Sequence, residues 1–261
     1  MKIAVAVEYC GTHFHGWQRL KTERSVQQCV EEALSVVADH PVSVVCAGRT
    51  DAGVHALNQI IHFETSAQRE MHSWVFGANS NLPDGVSLLW AKVVEEDFHA
   101  RFSALSRSYQ YLITNRAARP GLFQHLVTWE SRPLDVQRMS DAGSRLLGRH
   151  DFTSYRAQSC QSRTAEREIH DLSVQRCESY VVLSIRANAF LYHMVRNIAG
   201  VLMEIGQGRK EPNWAEEVLQ AKNRSLAGVT APPQGLYLTE VEYPERYQLP
   251  AAEISQVILP F

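Results

Sequence analysis

The order of strand-like and helix-like segments constrains the fold of this chain more than any other feature of its sequence. Alternating apolar residues such as Ile3, Val5 and Val7 indicate a strand, and Ser25 with Gln28 forms a capping box at the start of an amphipathic helix. The first hundred residues predict strand, helix, strand, strand, helix and strand at 2–9, 25–40, 42–46, 57–64, 69–79 and 86–94. This is the split β-α-β arrangement.

The second part of the chain repeats that order. Its predicted elements are a strand at 108–114, a helix at 135–147 that is capped by Asp135, strands at 168–176 and 180–188, helices at 191–206 and 212–222, the second with Pro212 in its first turn, and a strand at 235–243. The repetition predicts an α+β fold of two similar β-α-β-β-α-β, ferredoxin-like halves. We expect them to form a largely antiparallel mixed sheet with a central catalytic cleft, and to divide the chain into residues 1–100 and 101–261.

One connection is longer than this topology needs. The short stretch "RCESY" joins the middle strands of the second half, whereas "AGRTDAGVHA" (47–56) stands at the corresponding place in the first. Arg49 and Asp51 are two residues apart, so an extended backbone places both on one side, and Gly53 permits a turn. The aspartate could act as a nucleophile, a general base or a metal ligand. Alternatively, it could simply pair with Arg49 and cap a turn.

The charge distribution points to an anion-binding face. The net charge is −5 over residues 1–100, +6 over 101–167 and −3 over 168–261, and all 11 basic residues of the middle segment are arginines. Arginine suits bidentate phosphate contacts and stacking, although a solvated surface explains the same composition. The five cysteines have no metal-binding spacing, and the apolar N-terminal run is too short to cross a membrane. These features predict a cytoplasmic protein with reduced thiols and no membrane association.

Four motifs in order, "AGRTDAGVHA", "FHARFSALSRSYQYLI", "HMVRNIAGVLMEIG" and "GLYLTEVEYP", closely resemble the TruA family of tRNA pseudouridine synthases. The likeness extends over essentially the full chain. It implies a cofactor-free isomerase that converts uridine to pseudouridine at positions 38–40 in the anticodon arm of tRNA. Two positions depart from the family pattern: Gln110 stands where many relatives have a basic residue, and Ala199 where valine is common.

The resemblance implies a role for each matching site residue. Asp51 would be the nucleophile, attacking either C6 of the uracil or C1′ of the ribose. Arg196 would be its ion-pair partner, a permanent cation that opposes the rise in carboxyl pKa caused by burial. Tyr109 would stack on the target uracil and could help to transfer protons, although Tyr109 and Tyr111 also fit the core face of a strand. Arg49 would hold the RNA backbone while the base leaves the stack.

The same resemblance implies the partners. The expected substrate is tRNA, bound at its anticodon stem-loop by a homodimer. The further positions that correspond to tRNA contacts in the family are Arg69, Phe98, His99, Ala100, Arg101, Phe102, Ser159, Cys160, Gln161, Ser162 and Arg163. The segments 98–102 and 159–163 lie at the edges of the arginine-rich segment, as an RNA-binding face requires.

Two other classes of function are compatible with this sequence. A non-catalytic RNA-binding protein or RNA chaperone could use the same fold, but Asp51 would then only repel the phosphates. A metal-dependent hydrolase would lose activity with a chelator. The histidines at positions 13, 15, 55, 62, 99 and 193 lack metal-binding spacing, so we expect no metal site and no cofactor.

Overall fold

The computed structural model describes residues 1–251, which form two compact units. The first unit comprises Met1–Leu105 and residues 238–251. Its elements in chain order are β1 (Lys2–Tyr9), α1 (Val26–Ala38), β2 (Val45–Cys46), β3 (His55–Glu64), α2 (Met71–Asn79) and β4 (Val86–Val94). Strand β1 pairs antiparallel with both β3 and β4, and β2 adds a short antiparallel pair to β3.

The second unit comprises Ser106–Tyr237. Its elements are β5 (Ser106–Asn115), β6 (Thr128–Glu130), α3 (Val136–Ser144), β7 (Gly148–Asp151), β8 (Glu166–Cys177), β9 (Tyr180–Ala187), α4 (Met194–Gly206) and α5 (Trp214–Ala221). The strands β5, β9, β8 and β7 are neighbours in that order, all antiparallel, and β6 lies parallel to β5. The last strand, β10 (Leu236–Glu242), begins in the second unit of the chain and ends in the first.

The predicted fold class is confirmed, because the structure is α+β with a mixed and mostly antiparallel sheet. Both predicted N-cap residues bond as expected, but Gln28 does not complete the predicted capping box, because its side-chain amide donates to Glu32. The Ser25 hydroxyl oxygen accepts the N–H of Gln28 at 3.3 Å, and the Asp135 carboxylate accepts the N–H of Arg138 at 3.1 Å. Each cap satisfies a backbone donor that the first helical turn leaves without an intrahelical partner. The division at residue 100 stays a prediction about domain organisation.

Several element boundaries differ from the predicted ones. The strand predicted at 42–46 shortens to β2 because the N–H groups of Val42 and Val44 bond to side chains of α1. Helix α3 ends at Ser144. The N–H groups of residues 145–147 each donate to the carbonyl oxygen three residues back, as in a 3₁₀-helix, and not to the one four residues back. Helix α5 begins at Trp214, so Pro212 precedes the helix and does not lie in its first turn. The short strands β6 and β7 were not predicted.

Helix α4 is the most buried helix of the second unit. Its buried residues include Met194, Val195, Ile198, Val201 and Leu202. Burying one aliphatic side chain of this size stabilises a fold by about 1.5–3 kcal/mol, so this face holds the helix firmly. The polar residues near its N-terminus are therefore carried on a rigid element.

Candidate active site

Asp51 lies in the connection between β2 and β3 of the first unit, as the sequence predicts. The Val54 N–H donates to the carbonyl oxygen of Asp51 at 3.1 Å, and Gly53 adopts a φ of +77°. These two features close a tight turn immediately after the aspartate. The Asp51 side chain is half-buried.

Thr50, directly before the aspartate, anchors the loop to the rest of the unit. Its buried hydroxyl is 2.7 Å from the hydroxyl of Tyr9 at the end of β1. Its carbonyl oxygen accepts the N–H of Trp17 at 3.0 Å, and Trp17 is only 1% exposed. The loop N-terminal to Asp51 is thus fixed by both a side-chain and a main-chain contact.

The start of the same loop is held by Gln59 of β3. The side-chain amide of this fully buried residue donates to the carbonyl oxygen of Gly48 at 2.5 Å. Its amide oxygen accepts the Gly48 N–H at 3.3 Å. Since buried amides need such partners, Gln59 is a positioning residue that the sequence analysis missed. The available signal was a glutamine directly before the apolar pair Ile60 and Ile61 in a predicted strand.

The positive charges of Arg49 and Arg101 both influence the pKa of the Cys46 thiol. Burial raises the pKa of Cys46 to about 11, and the positive charges of Arg49 and Arg101 oppose that rise. Both guanidinium groups therefore lie near the Cys46 thiol in the first unit. Both side chains are exposed. The predicted loop and the predicted "FHARF" segment each contribute one of these exposed cations.

The "FHARF" segment divides into buried and exposed residues. Phe98 and Ala100 are fully buried, and the ring of Phe98 packs against Tyr243 and Tyr247 at centroid distances of 5.2 and 5.0 Å. These two side chains hold the turn in the core. Phe102, in contrast, is 76% exposed.

His99 supports the exposed end of this turn. Its Nδ1 accepts the N–H groups of both Arg101 and Phe102 at 3.2 Å, and its ring lies 4.3 Å from that of Phe102. The guanidinium carbon of Arg101 is 5.6 Å from the Phe102 ring centroid. Burial lowers the pKa of His99 and takes that of the neighbouring His62 to about 4. Both rings are consequently neutral acceptors at neutral pH.

The remaining predicted tRNA contacts lie elsewhere. Arg69 is exposed, and its Nε–H donates to the carbonyl oxygen of Val37 in the last turn of α1 at 3.2 Å, where a cation is favourable. Residues 159–163 lie in the connection between β7 and β8 of the second unit. Arg167, at the start of β8, donates to the Ser162 hydroxyl at 2.7 Å. The exposed members of this group are Ser159, Gln161 and Arg163, and the half-buried ones are Cys160 and Ser162.

Tyr109 lies on β5 of the second unit and is 8% exposed. Its ring meets Phe190 edge-to-face, with centroids 5.1 Å apart and an interplanar angle of 84°. Tyr111, two residues further on, is fully buried. Its hydroxyl donates to the Pro232 carbonyl at 2.7 Å and lies 2.6 Å from the Thr128 hydroxyl. Tyr111 therefore belongs to the core, whereas Tyr109 lies at the edge of it.

Arg196 lies in the first turn of α4 and is half-buried. Its Nε–H donates to the carbonyl oxygen of Ala231 at 2.8 Å. The N–H of Ala231 in turn donates to the carbonyl oxygen of Arg196 at 3.1 Å. This pair of bonds fixes the guanidinium plane, which gives the cation a defined direction.

The predicted site residues thus form two sets, one on each unit. The first unit carries Arg49, Asp51 and the 98–102 turn, and the second carries Tyr109 and Arg196. Within residues 1–251, no group of three His, Cys, Asp or Glu side chains is arranged to hold a metal ion. None of the helices in this part of the chain is long and apolar enough to cross a membrane.

Comparison with known proteins identifies the family. The profile of the tRNA pseudouridine synthase family matches residues 5–103 and 142–244. A tRNA pseudouridine synthase A of Coxiella burnetii (strain Dugway) is 53% identical over 259 residues, which cover 99% of each chain. The Nitrosococcus oceani protein of the same name is 55% identical over 250 residues, or 96% of each chain. The Vibrio atlanticus one is 52% identical over 260 residues, which span 100% of this chain and 98% of its own. This chain therefore belongs to the tRNA pseudouridine synthase family of isomerases.

Proposed function

We propose that the protein isomerises uridine to pseudouridine at positions 38–40 in the anticodon arm of tRNA, with Asp51 as the nucleophile. The observation that carries this proposal is the anchoring of the Asp51 loop by Thr50 on one side and by the turn at Gly53 on the other. A reactive group must be held within a fraction of an ångström of its productive position. Contacts of this kind supply that rigidity on a loop.

The reaction needs one carboxylate and no redox partner. The bond between C1′ and N1 breaks, the uracil turns, and C1′ bonds to C5, which loses its proton while N1 gains one. The carboxylate of Asp51 attacks C6 or C1′ and leaves again before the product is released. Either route requires the ionised carboxylate, and we assign Arg196 as the cation that keeps it ionised.

Tyr109 is assigned to the target base. Extruding a stem nucleotide costs a few kcal/mol, and stacking on an aromatic ring returns about 1–3 kcal/mol per base. The edge-to-face contact with Phe190 presets the orientation of the Tyr109 ring. One tyrosine therefore offsets much of the extrusion cost, and contacts to the RNA backbone must supply the remainder.

The exposed cations are assigned to the tRNA. Arg49 and Arg101 are exposed and both lie near Cys46 in the first unit, and Arg101 is adjacent to the exposed ring of Phe102. Phosphate contacts fix the register of an RNA and carry no base information. Arg69 and the segment at 159–163 extend the contacts, and we expect a homodimer to bind one tRNA across both subunits in the cytoplasm.

The decisive experiment maps pseudouridine in an unmodified tRNA transcript after incubation with the purified protein. We expect modification at positions 38–40 that is lost in Asp51→Asn, while tRNA affinity stays within about twofold. Asp39→Asn is the matched control, because Asp39 is an exposed carboxylate of the same unit in a left-handed conformation that asparagine tolerates.

Four outcomes would each contradict a part of the proposal. Persistent modification by Asp51→Asn would remove Asp51 from the chemistry. Modification of sites outside the anticodon arm would change the substrate assignment. A flat dependence of tRNA affinity on salt would argue against an arginine-based binding face, since each neutralised phosphate contributes to the slope. Sedimentation of the protein as a monomer would refute the homodimer.

A further inference from the structure

We propose that Arg224 is a positioning residue for Arg196, and that it acts by holding the backbone carbonyl of Ala231 against helix α4. The inference rests on the proposed function, because it assumes that the direction of the Arg196 guanidinium matters for the reaction. All the contacts that carry it lie within the second unit.

The connection between Ala231 and Arg196 is the first step. These two residues exchange two hydrogen bonds, one from the Arg196 Nε–H and one from the Ala231 N–H. Residue 231 lies outside any helix or strand, so α4 alone does not determine where its carbonyl oxygen is. Whatever fixes this irregular segment also fixes the guanidinium.

Arg224 ties that segment together. One of its terminal nitrogens donates to the carbonyl oxygens of Ala227 and Gly228 at 3.3 and 3.0 Å. The other donates to the Thr230 hydroxyl at 2.8 Å and to the side-chain oxygen of Asn197 at 3.0 Å. A single planar cation thereby joins residues 227–230 to the residue that follows Arg196 in α4.

Asn197 makes the helix side of this contact rigid. It is fully buried, its Nδ2–H donates to the carbonyl oxygen of Tyr155 at 2.7 Å, and its oxygen also accepts the Thr230 hydroxyl at 2.7 Å. Every one of its side-chain polar atoms thus has a protein partner. A buried and satisfied network of this type specifies one arrangement.

Close backbone packing supports the same arrangement. A Cβ atom added to Gly200 would lie 1.9 Å from the carbonyl oxygen of Val229, so the segment rests directly on the backbone of α4. On its other side, the Tyr111 hydroxyl donates to the Pro232 carbonyl at 2.7 Å. The segment around Ala231 is therefore held by the packing on Gly200, by the Tyr111 hydroxyl and by Arg224, and Arg224 is the one of these three supports that carries a charge.

Lysine cannot reproduce this role. Guanidinium presents its donors in a fixed planar fork, whereas ammonium is a compact point charge on a flexible stem. Four acceptors at fixed positions need the fork. Loss of Arg224 would leave the Asn197 oxygen and the backbone acceptors short of a donor, and would release Ala231 and with it the direction of Arg196.

The test compares single-turnover rates of pseudouridine formation with saturating enzyme. We expect Arg224→Gln to slow the reaction about 100-fold and Arg224→Lys about 10-fold, the scale of an ångström-sized misplacement, with tRNA affinity within about twofold. Arg209→Gln is the matched control, because Arg209 pairs with Glu204 at the opposite end of α4. Its rate should equal that of the unaltered protein.

Measuring Arg224→Gln in a protein that also carries Arg196→Lys separates the positioning of Arg196 from a general disturbance of the fold. If Arg224 acts through Arg196, Arg224→Gln changes the residual rate of Arg196→Lys by no more than about twofold, because residues acting as a unit are non-additive. An equal loss in both backgrounds would overturn the proposal.

Should Arg224 variants fail to fold, the near-isosteric Thr230→Val variant provides a second test, because it removes one hydroxyl of the network and changes no charge. An unchanged rate in this variant would also overturn the proposal.

The same measurements distinguish this inference from the function on which it rests. A normal rate in Arg196→Met, which removes the cation, would contradict the proposed catalytic role of Arg196 itself. A slow Arg196→Met together with a fully active Arg224→Gln would leave that role intact and refute only the positioning by Arg224.

Discussion

Gly16 offers a sharp test of how the Asp51 loop is held. This glycine adopts a φ of +88°, and a Cβ atom at this position would lie 2.7 Å from the carbonyl oxygen of Thr50 and 3.1 Å from the carbonyl carbon of Asp51. Gly16→Ala would therefore add strain to its own backbone and push directly on the loop. Gly208→Ala is the control, because Gly208 has a similar φ of +73° with open space around the added Cβ.

The magnitudes follow from these two geometries. A left-handed alanine costs about 1–2 kcal/mol, and the smaller entropy of the unfolded chain returns about 0.4–1 kcal/mol. Gly208→Ala should therefore lower the free energy of unfolding by about 1 kcal/mol. Gly16→Ala adds the cost of overpacking, about 1–3 kcal/mol, because its nearest neighbours are backbone atoms that move only together with the loop.

Urea unfolding followed by tryptophan fluorescence measures the stability of each variant, and single-turnover pseudouridine formation measures its activity. We expect Gly16→Ala to be the less stable and to lose about 10-fold or more of its single-turnover rate, while Gly208→Ala keeps the normal rate. Equal stability and equal activity of the two variants would refute the inference that contact with Thr50 positions Asp51.

Three further predictions concern titration and the target base. A hydrogen bond from His55 is the main cause that lowers the pKa of Cys10 to about 6, so iodoacetamide should alkylate Cys10 well before Cys46, whose pKa is raised to about 11. His55→Phe should move the pH midpoint of Cys10 alkylation upwards, and an unchanged midpoint would exclude the hydrogen bond as its cause. Because the pKa of His62 falls from 6.5 to about 4 on folding, the unfolded chain binds more protons between these values. Stability should therefore fall by up to about 3 kcal/mol from pH 6.5 to 4, a loss that His62→Gln should reduce in urea titrations. Tyr109→Phe should keep tRNA affinity and Tyr109→Ala should weaken it, because stacking needs the ring and not the hydroxyl; equal affinities would argue against stacking.

The regular elements of the fold could be predicted because their signals are local. The caps at Ser25 and Asp135 each connect residues three apart, and both helices begin where those caps predict. The strand at 42–46 was too long in the prediction because its N–H groups bond to side chains of α1, a contact between segments that no local pattern reveals. Short strands such as β6 contain too few residues to show a period.

The site could be predicted in part for the same reason. Asp51 and Gly53 stand in a connection whose length and composition depart from what the topology needs, and that departure is visible in the sequence. Arg224 could not be recognised in this way. Its contacts with Asn197 join residues 27 positions apart, and an arginine in a polar segment looks like an ordinary surface residue until its acceptors are known.

A main-chain carbonyl group helps to hold each of the two candidate catalytic charges. The carbonyl of Thr50 is fixed by Trp17 immediately before Asp51, and the carbonyl of Ala231 fixes Arg196. A carbonyl moves only when the chain on either side of it moves, so the sensitive positions are those where another backbone lies close by. Gly200 is such a position in the second unit, as Gly16 is in the first, and both would bring an added methyl group within 3 Å of a carbonyl oxygen. Gly200→Ala should therefore slow pseudouridine formation as Gly16→Ala does, although neither glycine has a functional group. A normal single-turnover rate in a folded Gly200→Ala protein would show that the Ala231 carbonyl does not control the reaction.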